Sequence, residues 1–213
     1  MRINLGDQRA FPVRTAAAND WLKDTPAEGK TGKASINVQA MEATNNPKVL
    51  GAARHYLTTF IPDQFTAAPT RHLVVLTCMD ARLDLFRLLG LAVGDSHILR
   101  NAGGRATDDA IRSLILSSHL LGTREYVVIH HTGCGLHQIT NEKICDLVEE
   151  ATGTRPEIDF APFDDVEISV AVDVERIRTC RLLPEGAVVW GAVYDVHTGT
   201  LREIVKPTSV NRT

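Results

Sequence analysis

Apolar and polar positions alternate in two distinct rhythms from Asn46 onward. Val49, Leu50, Ala53, Tyr56 and Leu57 fall at three- and four-residue spacings, and Pro47 stands where a first helical turn tolerates it. Pro47 to Phe60 is therefore predicted to be helical. Leu73-Val-Val-Leu-Thr77 is the short, continuous apolar run of a strand buried on both faces. Leu83 to Leu89 reads as a helix closed by Gly90, and Ser96 to Arg100 as a second strand. Thr107 is an N-cap residue followed by Asp108 and Asp109, whose charges suit a first turn. Ile111, Leu114, Ile115, Ser118 and Leu121 then repeat on one face as far as the stop at Gly122. Glu125 to His130 is a third strand and Ala187 to Asp195 a fourth. His197-Thr-Gly199 turns the chain back into a last strand, Leu201 to Val205, at hairpin spacing.

Strands separated by helices point to an α/β fold in three layers: a mostly parallel central sheet, one antiparallel edge strand and helices on both faces. Residues 1–45 break the pattern. Pro26-Ala-Glu-Gly-Lys-Thr-Gly-Lys-Ala-Ser35 is polar and without period, which suits an N-terminal arm, flexible or wrapped on a partner. Residues 46–213 form the expected α/β domain.

Charge and composition narrow the classes of function. Lys and Arg number 23 against 26 Asp and Glu, a net charge of −3, which gives no support to nucleic-acid binding. No apolar run approaches the roughly 18 residues of a membrane span, and the start lacks an apolar leader. The expectation is a cytoplasmic protein with neither nucleic acid nor membrane as partner. Its four cysteines, Cys78, Cys134, Cys145 and Cys180, are widely spaced, so a special role for any of them points to metal or catalysis rather than to structural disulfides.

The chemistry gathers where strands end. In open parallel sheets ligands bind beyond the carboxyl ends of the strands. The first strand runs into Cys78-Met-Asp80-Ala-Arg82, the third into His130-His131-Thr-Gly-Cys134, and the second into Arg100-Asn101-Ala-Gly103-Gly104. Two thiolates and one imidazole thus emerge at one edge of the sheet. That soft set suits zinc, and three protein ligands leave a fourth position open, as in catalytic sites. Read singly, Cys78 is a packed thiol and His130 and His131 are strand-end residues; it is their joint occurrence that points to a metal.

Cys78-x-Asp80-x-Arg82, then Arg100-Asn101-Ala102-Gly103, then His131-x-x-Cys134 resembles the β-class carbonic anhydrases over roughly Asn46 to Val205. The Cys-Met-Asp-Ala-Arg form is similar to a small subgroup that includes carbonyl sulfide and carbon disulfide hydrolases. The resemblance implies one Zn2+ per subunit on Cys78, His131 and Cys134, an Asp80–Arg82 dyad, and zinc-bound hydroxide attacking carbon dioxide to give bicarbonate. It also implies self-association, as a homodimer or a dimer of dimers. His131 rather than His130 has the His-x-x-Cys spacing, and strand alternation turns His130 away. Gly103 and Gly104 either offer an N–H to a developing oxyanion or simply turn the chain. His97, His119, His137 and His197 enter as proton relays only through their titration range. Three alternatives stand beside hydration of this small gas. One is carbonyl sulfide hydrolysis by the same hydroxide. Another is a zinc closed by Asp80. The last is a nucleotide- or small-ligand-binding protein without catalysis, suggested by Gly103-Gly104 before a helix.

Overall fold

The computed structural model describes residues 47–61 and 64–211; the arm assigned to residues 1–45 lies outside them. The chain divides into two units at Ile61/Pro62. In the first, α1 runs Pro47–Leu57, three residues short of the expected end. There the Thr58 and Thr59 hydroxyls donate to the carbonyls of His55 (2.7 Å) and Tyr56 (3.1 Å) and close the last turn.

The second unit contains β1 (Leu73–Cys78), α2 (Leu85–Leu89), β2 (Ser96–Asn101), α3 (Asp108–Leu121), β3 (Glu125–His131), α4 (Asn141–Thr152), α5 (Val166–Arg178), β4 (Val188–Tyr194) and β5 (Leu201–Ser209). The sheet order is β2-β1-β3-β4-β5, parallel except for the β4–β5 pair. β1 and β3 are interior strands, buried along almost their whole length. The edge where the motifs meet is therefore the carboxyl edge, in the middle of the sheet rather than at its side.

Alternation along these strands divides the core. Val74, Leu76, Tyr126 and Val128 pack with Leu114 of α3 and with Val170, Val174 and Ile177 of α5. Val75, Val127 and Ile129 face the other way, against Leu85 of α2 and Leu91. Helices thus cover both faces, in the expected three layers.

Local chemistry sets the ends. Thr107 accepts from the Ala110 N–H and Gly122 closes α3 in the left-handed conformation. α2 starts at Leu85 rather than Leu83 because Asp84 caps it, accepting from the Arg87 N–H. β5 extends four residues beyond the expected Val205 and passes through Pro207; an edge strand tolerates the missing donor, and its pairing with β4 is irregular at that level.

The pattern of apolar positions predicts no helix over Val166–Arg178. Its Ile-Ser-Val-Ala-Val-Asp-Val run alternates like a strand, yet Asp165 caps it through the Glu167 and Ile168 N–H groups. Ser169, Val170, Asp173, Val174 and Ile177 then form one buried helical face. That face reaches the sheet at Gly191 of β4, where an added Cβ would collide with Val170 and Val174. Gly191→Ala should lower stability by about 1–3 kcal/mol through overpacking. Urea unfolding would measure the loss, and adding Val170→Ala should recover part of it by restoring the space.

Candidate metal centre

β1 and β3 deliver the three donors. Cys78 is the last residue of β1 and His131 the last of β3, and the turn Thr132-Gly133 brings Cys134 back beside them. The sulfurs of Cys78 and Cys134 lie 4.0 Å apart. With a ring nitrogen of His131 they form a set within 4.8 Å of one another, all three residues buried.

The donor set fits a metal ion on independent grounds. Sulfurs about 2.3 Å from a tetrahedral zinc stand about 3.8 Å apart. The Nδ1 of His131 lies 2.9 Å from the Thr132 carbonyl, so that nitrogen carries the hydrogen. The Nε2 is then a lone pair, buried and without a hydrogen-bond partner among the described residues. A backbone carbonyl on one imidazole nitrogen and an ion on the other is the usual arrangement of a ligating histidine.

The electrostatics agree. The Cys134 thiol beside Cys78, helped by His131 and by the backbone of Asp80 and Gly103, pulls the Cys78 thiol down to about 4, against burial. Cys134 moves up, because its thiol hydrogen is shared with the Cys78 sulfur, because it is buried, and because ionising it would place a second thiolate against the first. Burial opposes charge on His131, but the neighbouring Cys78 sulfur, the Thr132 carbonyl and Asp80 raise its pKa on balance. Electron-rich donors crowded in this way could hold a cation.

Asp80 and Arg82 are joined as a fork. Arg82 Nε donates to Asp80 Oδ1 at 2.9 Å and Nη2 to Oδ2 at 2.7 Å, while the Arg82 backbone N–H also donates to Oδ1 at 2.9 Å. These bonds hold the Asp80 carboxyl far below the ordinary carboxylate range, with His131 a smaller influence. Nη2 also donates to the Gly133 carbonyl, tying the dyad to the turn before Cys134. Asp80 Oδ2 stands 3.8 Å from His131 Nε2. The carboxylate therefore borders the donor set while committed to Arg82. Beside it lies a cleft of about 580 Å³ with apolar walls from Ala81, Ala102, Gly103 and Leu136.

His130 faces elsewhere. Its Nε2 is directed at the Gly104 carbonyl (3.2 Å) and Asp173 (3.3 Å). Gly103 and Gly104 both have positive φ, 75° and 72°. Gly104 packs on β1, where an added Cβ would lie 2.8 Å from the Cys78 nitrogen. Gly103 lines the cleft, with its backbone acting on the Cys78 sulfur. The rings of His97, His119 and His137 are each within 2.9 Å of a backbone carbonyl, of Ala67, Leu182 and Asp164 respectively.

Motif spacing alone gives the side chain of Arg100 no role. Its guanidinium donates to the carbonyls of Cys78 (3.0 Å), Asp80 (2.6 Å) and Leu83 (3.4 Å), fastening the loop that carries the first motif. Its place at a strand end beside that motif was the available signal.

Comparison with known proteins is consistent with this geometry. A family model described as carbonic anhydrase matches residues 73–201. The chain belongs to the β-carbonic anhydrase family. β-Carbonic anhydrase 1 of Mycobacterium tuberculosis is 40% identical over 136 residues, covering 64% of this chain and 83% of that protein. A carbon disulfide hydrolase of an Acidianus species is 35% identical over 157 residues, covering 62% and 77%. The crystal structure of carbonic anhydrase from Streptococcus mutans superposes with a TM-score of 0.70 at 42% identity, covering 73% of this chain and 95% of that one.

Gly104→Ala tests the packing behind Cys78. A left-handed non-glycine residue costs about 1–3 kcal/mol, and here the new methyl also meets backbone. The variant should unfold at lower urea and retain less metal through dialysis than wild type.

Proposed function

We propose that this chain is a zinc-dependent carbonic anhydrase hydrating carbon dioxide to bicarbonate, with Cys78, His131 and Cys134 holding one Zn2+ per subunit. The observation that carries this reading is the convergence of two sulfurs and an unpartnered imidazole nitrogen beside a carboxylate already committed to Arg82. Bound zinc supplies Lewis acidity, which lowers the pKa of water and makes a nucleophile near neutral pH. Asp80, held ionised by Arg82, is purely an acceptor. It can take the hydrogen of that nucleophile and aim a lone pair at an electrophilic carbon. Arg82 keeps the carboxylate turned aside, so that it does not close the site as a fourth ligand. The cleft walls suit a small, neutral, apolar substrate.

Hydrolysis of carbonyl sulfide or carbon disulfide is the second reading, favoured by the relatives named carbon disulfide hydrolase. Nucleotide binding at Gly103-Gly104 fits less well, because Asp108 and Asp109 occupy the first turn of the following helix and repel phosphate. Among the described residues no helix is long and apolar enough to cross a membrane. Four free thiols suit the reducing cytoplasm.

Initial rates on carbon dioxide, carbonyl sulfide and carbon disulfide, with zinc measured on the same sample, test the proposal. Carbon dioxide hydration should dominate; hydrogen sulfide release that exceeds it establishes the second reading. Cys78→Ser, His131→Ala and Cys134→Ser should lose zinc and turnover together. Asp80→Asn and Arg82→Ala should keep zinc and lose about 100-fold or more of the rate. Normal rates in either variant would remove the dyad from the mechanism.

Self-association belongs to the same proposal. Tyr56, Leu57 and Phe60, on and just after α1, present apolar side chains to solvent in the single chain, a surface suited to a second copy. Sedimentation velocity at micromolar concentration should show a species heavier than the monomer; a single monomer boundary would contradict this.

A further inference from the structure

Behind the donor set lies a charged cluster that the chemistry above does not use. Asp173, on the buried face of α5, has a side chain only 4% exposed. Its Oδ2 accepts from Arg105 Nε at 2.7 Å and lies 3.3 Å from His130 Nε2. Both groups facing that His130 nitrogen, the carboxylate and the Gly104 carbonyl at 3.2 Å, are acceptors, so the nitrogen carries a hydrogen shared between them. Arg105 also donates from Nη1 to the Ala161 carbonyl at 2.6 Å, and its guanidinium stands 5.8 Å from the centre of the Phe163 ring, which in turn stacks on His130. Burial alone would make Asp173 harder to ionise; the bonds from His130 and Arg105 outweigh it, and the carboxyl stays below its ordinary range.

Both arms of this cluster end at the metal centre. Arg105 closes a turn that Asn101 pins from the other side, its Oδ1 accepting from the Arg105 N–H (2.8 Å) and its Nδ2 donating to the Arg105 carbonyl (2.7 Å). The same turn accepts the Met79 N–H at the Asn101 carbonyl (2.9 Å) and presses Gly104 against the Cys78 backbone. His130 is the residue before His131 on β3. One carboxylate oxygen, Oδ2, therefore grips both the support of Cys78, through Arg105, and the strand end of His131, through His130.

We propose that Asp173 is a positioning residue of the metal centre: by holding Arg105 and His130 together it fixes the separation between Cys78 and His131, and so the fit of the three donors to their ion. The inference rests on Cys78, His131 and Cys134 being metal ligands. A carboxylate whose only task was to neutralise Arg105 would need neither the His130 contact nor a place at the carboxyl edge.

The test uses the full chain as wild type, Asp173→Asn, Asp173→Asn with Arg105→Gln, and His130→Gln. Zn2+ and Co2+ affinities are measured by chelator competition, the visible spectrum of each Co2+ form is recorded, and urea midpoints of the metal-free forms are compared. Asp173→Asn should weaken metal binding by about 10–100-fold and shift the sulfur-to-cobalt charge-transfer band. The double variant leaves no buried charge alone, so its urea midpoint should recover while the weak binding and shifted band persist. His130→Gln keeps the ion pair and should shift the band in the same direction. Should Asp173→Asn fail to fold, the other two variants decide. Affinity and band at wild-type values in both would overturn the inference while leaving the ligand assignment intact. A wild-type chain that binds neither ion would instead overturn the ligand assignment, and the inference with it.

Discussion

Two sulfurs and one imidazole nitrogen meet in a buried space with too few hydrogens to satisfy them, and the surrounding structure exists to keep them there. Lone pairs turned toward one another in a region of low dielectric repel, and apposed donors of this kind would move apart in a flexible loop. Here they cannot. Cys78 and His131 end interior parallel strands buried on both faces, and Cys134 follows a short turn whose Gly133 carbonyl is held by Arg82. The sheet fixes position, and the arginines fix the loops. A cation would turn this repulsion into attraction, and its affinity would draw on rigidity already built into the fold.

The arginines divide that work. Arg100 collects three carbonyls of the Cys78–Leu83 segment, Arg82 holds both oxygens of Asp80, and Arg105 joins Asp173 behind the site. Each uses the planar fork that makes arginine suited to several acceptors at once, which a lysine ammonium does not reproduce. Each also satisfies oxygen atoms that a loop at the sheet's carboxyl edge would otherwise leave without partners.

Much of this was legible in the sequence, and the reasons differ by element. The runs at Leu73 and Glu125 gave strands because interior parallel strands are apolar throughout, and α3 was clear because Thr107 and Gly122 mark its ends by cap chemistry. The convergence of Cys78, His131 and Cys134 could be read because motif spacing and strand ends coincide at Cys78 and His131. α5 could not, since Val, Ile and Ala alternate along it with the period of a strand, and only tertiary packing against Gly191 reveals the helical face. Asp173 was hidden for the same reason: it is distant in sequence from both motifs and reaches the centre only once that helix is docked. Pro207 concealed the end of β5, because its tolerance depends on the strand lying at an edge. Local patterns were readable; contacts made by long-range docking were not.

Charge balance links the proposed chemistry to this architecture. Two thiolates offset the formal charge of a divalent ion, so the centre gains little from a further anion beside it. Asp80 is nevertheless ionised there, which is possible because Arg82 accompanies it and makes the pair neutral as a unit. Removing the guanidinium would therefore do more than release the carboxylate's orientation; with an ion in the donor set, it would leave an anion beside that ion with every electrostatic reason to bind it. The dyad thus keeps a position available by giving the carboxylate a better partner. Loaded with such an ion, a nearly neutral centre with apolar walls would admit an uncharged gas at little desolvation cost, and it would have little excess positive charge with which to retain an anionic product. That combination suits a reaction that turns a neutral molecule into an anion and must release it quickly.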